Sequence, residues 1–560
     1  MKLSTFRQNL SECIHHGVSC FFPDPDQIPP IILDIPQDKI RGEFSCNIAL
    51  QSARILKKSP MELAAAFVEA VSRQIQTAGL DDRIERVEAK QPGFINFYLA
   101  DTAFYDILEQ VFAEGEDYGR SCLGQGKKIQ IEFVSANPTG PLSVAHARQA
   151  AVGDCLGNVL RFSGFEVTKE YYVNDEGNQI NILGRSILAR AREILGDTQS
   201  IFPEDGYQGD YIRDMARVFI EQGKVVSLSD LESRPPGDFS RFGVETLMAV
   251  IQKELKDFGV QFNTWSYQSR VASRAHVEKT LSFLEEKGFL YEKEGALWFS
   301  STRFGDDKDR VLRKSDGAYT YFAPDIAYHQ NKFLRGFDKV VNIWGPDHHG
   351  YIPRLSAAVE ALGQAPDALK VLIVQLATLY RDGQPVSMST RRGQYISLRE
   401  VMDEVGMDAA RFFFLMRSIK AQLDFDLELA KKETPENPVY YIQYAHARIH
   451  SIVAKAREVN LEARTEGFKA LVQEEEQDLM KTIGRFTDVL HMCCHQWDVF
   501  ALVSYLLELA TAFHRFYDKH RVVDVEAPDL SSERLALIVA TRIVLANGLR
   551  LVGVSAPVRM

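Results

Sequence analysis

A turn followed by a helix start, Ala136–Ala150, contains the first residues that suggest chemistry. It reads ANPTGPLSVAHARQA and follows the apolar run Ile129–Val134, which predicts a strand. A helix start offers unpaired amide hydrogens and a partial positive charge, so it is a natural seat for phosphate. His146 and Arg148 add hydrogen-bond donors in the first turn. The stretch is consistent with nucleotide binding, but Ser143 equally suits a plain helix cap, and both interpretations stay open.

Two further loops carry polar groups at the ends of predicted strands. GPDHHGY, Gly345–Tyr351, follows the strand VVNIW and places Asp347, His348 and His349 at its carboxyl end. RDGQPVSMSTRRGQ, Arg381–Gln394, carries two arginines beside a glycine. Zinc binding is the rival for the first loop, although no third and fourth ligand is visible nearby, and a solvated hairpin is the rival for the second. Three such loops after three strands favour one shared nucleotide-binding site. The sequence contains no phosphate-binding loop of the G-x-x-x-x-G-K-[ST] type, so the site would bind phosphate in another way.

The cysteines give little sign of a disulfide or a metal centre. There are seven, scattered along the chain, which suits a reducing compartment better than a disulfide framework. Cys493 and Cys494 lie between His491 and His495, so a metal site is conceivable there. Because the spacing matches no usual zinc pattern, we predict a buried helix without a protein-bound metal.

The composition indicates a globular protein of several domains. With 560 residues, two to four domains are expected, and 45% apolar with 25% charged residues is ordinary for such proteins. The net charge of −11 argues against a uniformly basic nucleic-acid coat but leaves room for a local basic face. The N-terminus lacks an apolar signal core, and no run approaches the roughly 18 apolar residues of a membrane span. We therefore predict a cytoplasmic protein that makes no membrane contact.

The elements around these loops predict an α/β fold. Strands and helices alternate from about 128 to 350, which favours a doubly wound parallel sheet with ligands at the carboxyl ends of its strands. The more charged stretch of about 200–290 is predicted to be a mostly helical insertion. Before residue 118, helical segments split at Pro60 and a strand at Gly93–Ala100 are expected. After about 425 the pattern is helical to the end, with Leu535 and Leu549 on one apolar stripe.

Several motifs together resemble one enzyme family. EFVSANPTGPLSVAHARQAAVGD resembles the signature region of bacterial arginyl-tRNA synthetases, and so do YYVNDEGNQIN, FGDDKDRVL, TYFAPDIAYH, WGPDHHGYIPR and ENPVYYIQYAHARI. The motifs occur in order over nearly the whole chain. The resemblance implies a Rossmann-like class I catalytic domain at 119–425. It also implies an α+β tRNA-elbow-binding domain at 1–118 and an all-α anticodon-binding bundle at 426–560.

The same resemblance implies the reaction and its partners. The family joins arginine to ATP as arginyl-adenylate, releases pyrophosphate, and passes the arginyl group to the terminal adenosine of tRNA(Arg). Magnesium is expected to enter with ATP as substrate, with no tightly bound cofactor. A monomer is the family expectation.

The resemblance also assigns residues to each substrate. Glu132 and Asp325 match the acids that hold the guanidinium, a cation best met by carboxylates. Tyr321 matches the tyrosine beside it, and Ser135 and Asn137 match residues near the amino and carboxyl groups. The residues that match positions for ATP binding and catalysis are Ser143, Ala145, His146, Gly345, Asp347, His348, Met388, Ser389 and Arg391. The residues that match positions for tRNA binding are Tyr441, Gln443, Tyr444 and Arg448.

The chain departs from the family in both ATP signatures. The family's His-x-Gly-His is Ser143, Val144, Ala145 and His146 here, so one histidine and the glycine are missing. In the Lys-Met-Ser-Lys-Ser-type loop, Ser387 replaces the first lysine. These departures leave a second hypothesis open, a paralogue that keeps the arginine pocket but has lost or redirected ATP chemistry. A tRNA binder without a small-molecule site is the third.

Overall fold

The computed structural model describes residues 3–34, 36, 42–386 and 396–560. The N-terminal region packs helices on a small antiparallel sheet of order β1-β2-β4-β3. Its elements are α1 (Leu3–Ser19), β1 (Leu33–Asp34), β2 (Phe44–Cys46), α2 (Ile48–Leu56), α3 (Pro60–Thr77), β3 (Ile84–Lys90), β4 (Phe94–Leu99) and α4 (Asp101–Glu114). The predicted helix break is confirmed, because Ser59 caps α3 and Pro60 occupies its first turn, where a missing N–H costs nothing.

The central region carries the parallel sheet. Its first half contains β5 (Lys128–Glu132), α5 (Val144–Phe162), β6 (Glu166–Val173), α6 (Asn178–Ile194), α7 (Asp210–Gly223), α8 (Leu228–Glu232), α9 (Pro236–Asp257), β7 (Thr264–Tyr267), α10 (Gln268–Val271) and α11 (Arg274–Glu286). Its second half contains β8 (Leu290–Lys293), β9 (Ala296–Phe299), β10 (Arg310–Arg313), α12 (Phe322–Leu334), β11 (Lys339–Trp344), α13 (Ile352–Ala361), β12 (Leu369–Ile373), β13 (Ala377–Arg381), β14 (Gln384–Pro385), α14 (Leu398–Val405), α15 (Met407–Leu415), β15 (Leu423–Asp426) and α16 (Leu427–Lys431).

The predicted doubly wound sheet is confirmed. Five parallel strands lie in the order β12-β11-β5-β6-β7. The chain runs outward from β5 through β6 to β7, and later from β11 to β12 on the other side. The direction therefore reverses between β5 and β11, and a crevice opens at the carboxyl ends of these two strands.

The predicted insertion at about 200–290 needs a correction. Helices α6 to α9 do form a separate apolar core, which contains Leu183, Ile212, Phe219 and Leu247. However, Thr264–Tyr267 pairs with β6 as the edge strand of the central sheet. The residues TWSY alternate between polar and aromatic side chains, but a run of four is too short to distinguish a strand from the helical sequence around it.

The C-terminal region is a helical bundle, as predicted. It comprises α17 (Pro438–Glu458), α18 (Glu474–Gly484), α19 (Phe486–Gln496), α20 (Phe500–Lys519) and α21 (Pro528–Val552). By length and composition α21 could cross a membrane, a feature that the count of apolar residues missed. Since 72% of its most apolar window is buried, and Leu535 and Leu549 face the core, α21 is the central helix of the bundle.

The cysteine-containing segment is the buried helix that the sequence predicts. Cys493 and Cys494 lie on α19 and are buried. The Cys494 thiol donates to Ser163 Oγ at 3.3 Å, and His491 Nε2 lies 2.9 Å from Ser121 Oγ. In the described ranges, no three His, Cys, Asp or Glu side chains are grouped so that they could hold a metal ion.

Buried charges join α5 to the rest of the molecule. Asp154 on α5 accepts hydrogen bonds from Lys169 of β6 and Arg411 of α15, both at 2.6 Å. Arg411 also donates to the carbonyl of Val552, the last residue of α21, at 3.1 Å. Each of these charged groups is almost fully buried but paired, so none is left as an uncompensated charge. The helix that opens at the crevice is thus fixed to both the sheet and the C-terminal bundle.

Glycine permits the close approach of α5 to β5. A Cβ atom on Gly153 would lie 2.3 Å from Cγ of Phe133, which is fully buried. We expect Gly153→Ala to lower the free energy of unfolding by about 1–3 kcal/mol, because the overpacked ring must shift. Chemical denaturation measures this change. The matched control is Gly237→Ala on α9, where the added methyl meets no atom within 4 Å and stability should hold or rise slightly. Equal effects of the two changes would contradict the packing argument.

Candidate active site

A cavity of about 680 Å³ occupies the crevice between β5 and β11. It brings together eleven of the residues that the sequence assigned to arginine and ATP. These are Glu132, Ser135, Asn137, Ser143, Ala145, His146, Tyr321, Asp325, Gly345, Asp347 and His348. The remaining candidates Met388, Ser389 and Arg391, together with Ser387, lie outside the described residues. The structure therefore places both predicted substrate sites in one cavity.

The chain leaves β5 through two strained residues. Val134 and Ser135 have φ values of 68° and 39°, a left-handed conformation that costs energy in residues other than glycine. The bend directs Ser135 Oγ toward Glu132, where it donates to Oε1 at 3.0 Å, and it also accepts from the Tyr172 amide at 3.0 Å. Asn137 follows and donates to Gln179 Oε1 at 2.7 Å. The strain thus serves to turn polar side chains into the cavity.

Glu132, at the end of β5, is already paired. Its Oε2 accepts from Nζ of Lys332 on α12, and the same ammonium donates to Asn342 Oδ1 of β11 at 2.9 Å. Lys332 is completely buried. The sequence analysis missed this lysine, although it follows Asp325 by two helical turns and must share its face of α12.

Asp325 lies in the first turn of α12, where it accepts a hydrogen bond from the Tyr351 hydroxyl. Burial raises the pKa of Asp325 to about 6, and the negative charge of Glu132 adds to the effect. Glu132 and Asp325 therefore share a cavity, as expected, but they differ in how their negative charge is compensated. Glu132 is compensated by an ammonium, whereas Asp325 holds a charge that burial disfavours.

His146 is positioned to donate into the cavity. Burial lowers its pKa to about 4, so the ring is neutral at physiological pH. The amide of Ser143 donates to His146 Nδ1 at 3.2 Å, which leaves the ring proton on Nε2. Ser143 also precedes the first residue of α5, so it occupies the cap position that the sequence allowed. A helix start with an Nε2–H donor suits a phosphate oxygen.

The prediction for Arg148 is wrong. Its side chain is fully buried, and it is not among the residues that line the cavity. The guanidinium donates to the backbone carbonyls of Gln375, Leu376, Arg417, Ser418 and Ala421. Since Gln375 and Leu376 line the cavity, Arg148 fixes its boundary rather than binding a ligand.

The loop after β11 completes the cavity. Asp347 and His348 belong to a short 3-10 helix, Pro346–Tyr351, and the His348 ring lies 5.9 Å from that of Trp344. A Cβ on Gly345 would lie 2.7 Å from Oδ1 of the exposed Asp347, so a larger residue there would displace that side chain. The cavity also has polar lining that sequence reasoning missed, because nothing local marks it: Gln149, Tyr172, Tyr328, His329, Asn342, Tyr351 and Gln375.

Comparisons with known proteins agree with this geometry. Residues 4–99 match the arginyl-tRNA synthetase N-terminal domain family, 107–421 the class I (R) tRNA synthetase catalytic domain family, and 442–560 the DALR anticodon-binding domain family. An arginine–tRNA ligase of Citrifermentans bemidjiense is 44% identical over 99% of this chain and all of its own. One from Syntrophotalea carbinolica is 47% identical over 95% of both chains. This chain belongs to the arginyl-tRNA synthetase family.

Solved structures of the arginyl-tRNA synthetase family share the fold. A structure from Campylobacter jejuni has a TM-score of 0.75 and 34% identity, and it covers 82% of this chain and all of its own. The enzyme from Thermus thermophilus has a TM-score of 0.75 over 99% of this chain at 20% identity, which speaks for the fold alone. The α/β class and the helical C-terminal domain are confirmed, while the boundaries at 118 and 425 stay predictions.

The expected tRNA face of this synthetase lies on α17. Tyr444 and Arg448 are exposed, and Tyr441 packs its ring 4.5 Å from that of His514. These three stay predictions. Gln443 is corrected, because its side chain is 9% exposed and its amide donates to Asp408 Oδ2 at 2.8 Å and to the Ser555 carbonyl at 3.0 Å. We therefore assign Gln443 to the packing of α17 on α15 and the C-terminus.

Asp325 should make arginine binding depend on pH. The guanidinium requires the ionised carboxylate, whose pKa in the empty site is about 6. We expect arginine affinity to fall as pH drops through this value, and a proton to be released on binding near it. Titration calorimetry in buffers of different ionisation enthalpy measures both. An arginine affinity that stays constant as the pH falls below the pKa of Asp325 would contradict the assignment of this residue.

The same carboxylate should cost stability. A pKa raised above the unfolded value of 3.8 means that the folded state binds the proton more tightly, so stability falls as pH rises through about 6. Above that value the loss is on the order of 1–3 kcal/mol. We expect Asp325→Asn to raise the melting temperature at neutral pH without arginine and to abolish the further rise that arginine produces. A lower melting temperature would argue against the desolvated charge.

Proposed function

We propose that this chain is a working arginine–tRNA ligase that uses ATP to activate arginine and charges tRNA(Arg). The observation that carries the proposal is a cavity that contains two carboxylates beside a helix start with an available donor. One carboxylate is paired with an ammonium and the other is not. The carboxylates suit a guanidinium, and the helix start suits the phosphates of a nucleotide. Both groups of residues line the same cavity of about 680 Å³, as a reaction between the two ligands requires.

We propose a role for each part of the cavity. We call the group Glu132, Ser135, Tyr321, Asp325 and Tyr351 the arginine pocket. With arginine held there, its carboxylate attacks the α-phosphorus of ATP, and pyrophosphate leaves to give arginyl-adenylate. A hydroxyl of the terminal adenosine of tRNA then attacks the carbonyl carbon, and AMP leaves.

The donors of α5 face the negative charge that the first step redistributes. The amide groups at the helix start and the Nε2–H of His146 stabilise phosphate oxygens in this arrangement. ATP is the substrate, and we propose that Mg²⁺ accompanies it. A cytoplasmic monomer without membrane contact is part of the same proposal.

Transfer of labelled arginine to tRNA(Arg), together with ATP–pyrophosphate exchange with and without tRNA, tests the proposal. We expect wild-type protein to charge tRNA, and Asp325→Asn to be inactive while still folded. Gly237→Ala, on the surface of α9, serves as the matched control with full activity. Absence of charging and exchange, with an arginine-induced rise in melting temperature, would favour the paralogue. Absence of both the activity and the rise would favour a tRNA binder.

Ala145 should limit ATP binding. It lines the cavity in the first turn of α5, where its methyl occupies space that a glycine would leave free. We expect Ala145→Gly to lower the KM for ATP by about fivefold, since relief of overpacking by about 1 kcal/mol corresponds to that factor. The KM for arginine should not change. Ala147→Gly is the control, because this neighbour is buried away from the cavity and its change weakens the helix alone. Equal ATP effects from both changes would contradict the crowding argument.

A further inference from the structure

The arginine pocket contains one more ionic group than its chemistry requires. Nζ of Lys332 lies behind Glu132 and donates to Glu132 Oε2 and to Asn342 Oδ1. The same ammonium lies 4.5 Å from the centre of the Tyr328 ring, on its face. A completely buried lysine is costly unless it is paired, and here each of its contacts is a group of the cavity or its immediate support.

The contacts of Lys332 continue to the second carboxylate. Asn342 Nδ2 donates to His329 Nε2 at 2.9 Å, and His329 Nδ1 donates to the backbone carbonyl of Asp325 at 2.8 Å. Burial lowers the pKa of His329 to about 3, so this ring is neutral and adds no charge. The chain of hydrogen bonds fixes Glu132 and the helix turn of Asp325 in one frame, while Lys332 supplies its only positive charge.

We propose that Lys332 is a positioning residue that sets the charge of the arginine pocket. By neutralising Glu132 it leaves one uncompensated carboxylate, Asp325, so that the empty pocket matches the single positive charge of a guanidinium. Glu132 then acts as an oriented hydrogen-bond acceptor, and Asp325 carries the charge that arginine neutralises. The inference rests on the proposed function, because it takes arginine as the ligand.

The physical reason is the repulsion between two carboxylates in one buried site. Without an adjacent cation, two such groups share a proton, and one of them keeps it well above the usual pH range of an acid. Arginine binding would then have to displace that proton at neutral pH. With Lys332 in place, its ammonium offsets the charge of Glu132, and Asp325 is left as the carboxylate that arginine neutralises.

The groups around Asp325 support this account. From β5 it faces Glu132, from its own helix Lys332, and from the loop before α13 the Tyr351 hydroxyl. Tyr172 of β6 also interacts with both carboxylates, and burial raises its pKa so that it stays neutral. The guanidinium of Arg354 lies over the Tyr351 ring, 4.9 Å from the ring centre. Among these groups, Lys332 is the cation that pairs with Glu132 and that also acts electrostatically on Asp325.

The test measures arginine binding by calorimetry as a function of pH, so it does not depend on ligase activity. In Lys332→Met we expect the midpoint of the pH dependence to move upward by about two pH units, because the two acids then share a proton. Binding should weaken about tenfold at neutral pH and recover about two pH units above it. In Glu132→Gln the unpaired ammonium should move the midpoint downward instead.

The double variant Glu132→Gln with Lys332→Met distinguishes an electrostatic role of Lys332 from a role in packing alone. It removes both charges of the Lys332–Glu132 ion pair together, so neither is left without its partner, and it should fold even where Lys332→Met does not. Its midpoint should return to the wild-type value near the pKa of Asp325, although its affinity is lower at every pH. Midpoints that are identical in wild type, Glu132→Gln and the double variant would overturn the inference. Absence of arginine binding by wild-type protein would instead overturn the proposed function.

Discussion

Two carboxylates in one desolvated cavity repel each other, and the arginine pocket depends on how that repulsion is relieved. The two carboxylates have different partners. Glu132 has a buried lysine within hydrogen-bonding distance, whereas Asp325 accepts a hydrogen bond from the Tyr351 hydroxyl, and burial has a larger effect on it than Lys332 does. The result is one acid whose charge is offset by an adjacent ammonium and one whose pKa is raised to about 6. A ligand with one delocalised positive charge completes such a site, while a neutral side chain leaves Asp325 unpaired.

This arrangement requires a rigid frame, because a displacement of either acid would change the balance. The frame is built around α5. Arg148 donates to five backbone carbonyls, two of which belong to residues that line the cavity. Asp154 joins the helix to Arg411 and so to the end of α21. These charged contacts are buried and directional, and α5 cannot slide along the sheet without breaking them. The helix that presents His146 to the cavity is therefore coupled to the C-terminal bundle.

Sequence reasoning recovered much of this because two signals are local. Apolar periodicity identified β5, α5, β11 and the last helices, and short polar loops at strand ends identified most of the cavity residues. The errors came from residues whose role depends on distant partners. Arg148 is near a helix start in sequence, yet its partners lie more than 200 positions away. Gln443 and Lys332 likewise acquire their roles only from packing. The strand Thr264–Tyr267 was missed because its pairing partner, and not its own pattern, makes it a strand.

The nucleotide half of the cavity shows how a reduced signature can still present donors. Ser143 stands where the family has its first histidine, and its amide holds His146 Nδ1 so that the Nε2 proton faces outward. The backbone amide at position 143 therefore orients the remaining histidine, and this role does not depend on having a histidine side chain there. The burial that keeps His146 neutral also lowers the local dielectric, and a neutral donor in such a site is worth more than one in water. A fixed neutral donor and the amides of a rigidly held helix start supply the kind of electrostatic preorganisation that phosphoryl chemistry requires, with fewer charged side chains than the family pattern contains.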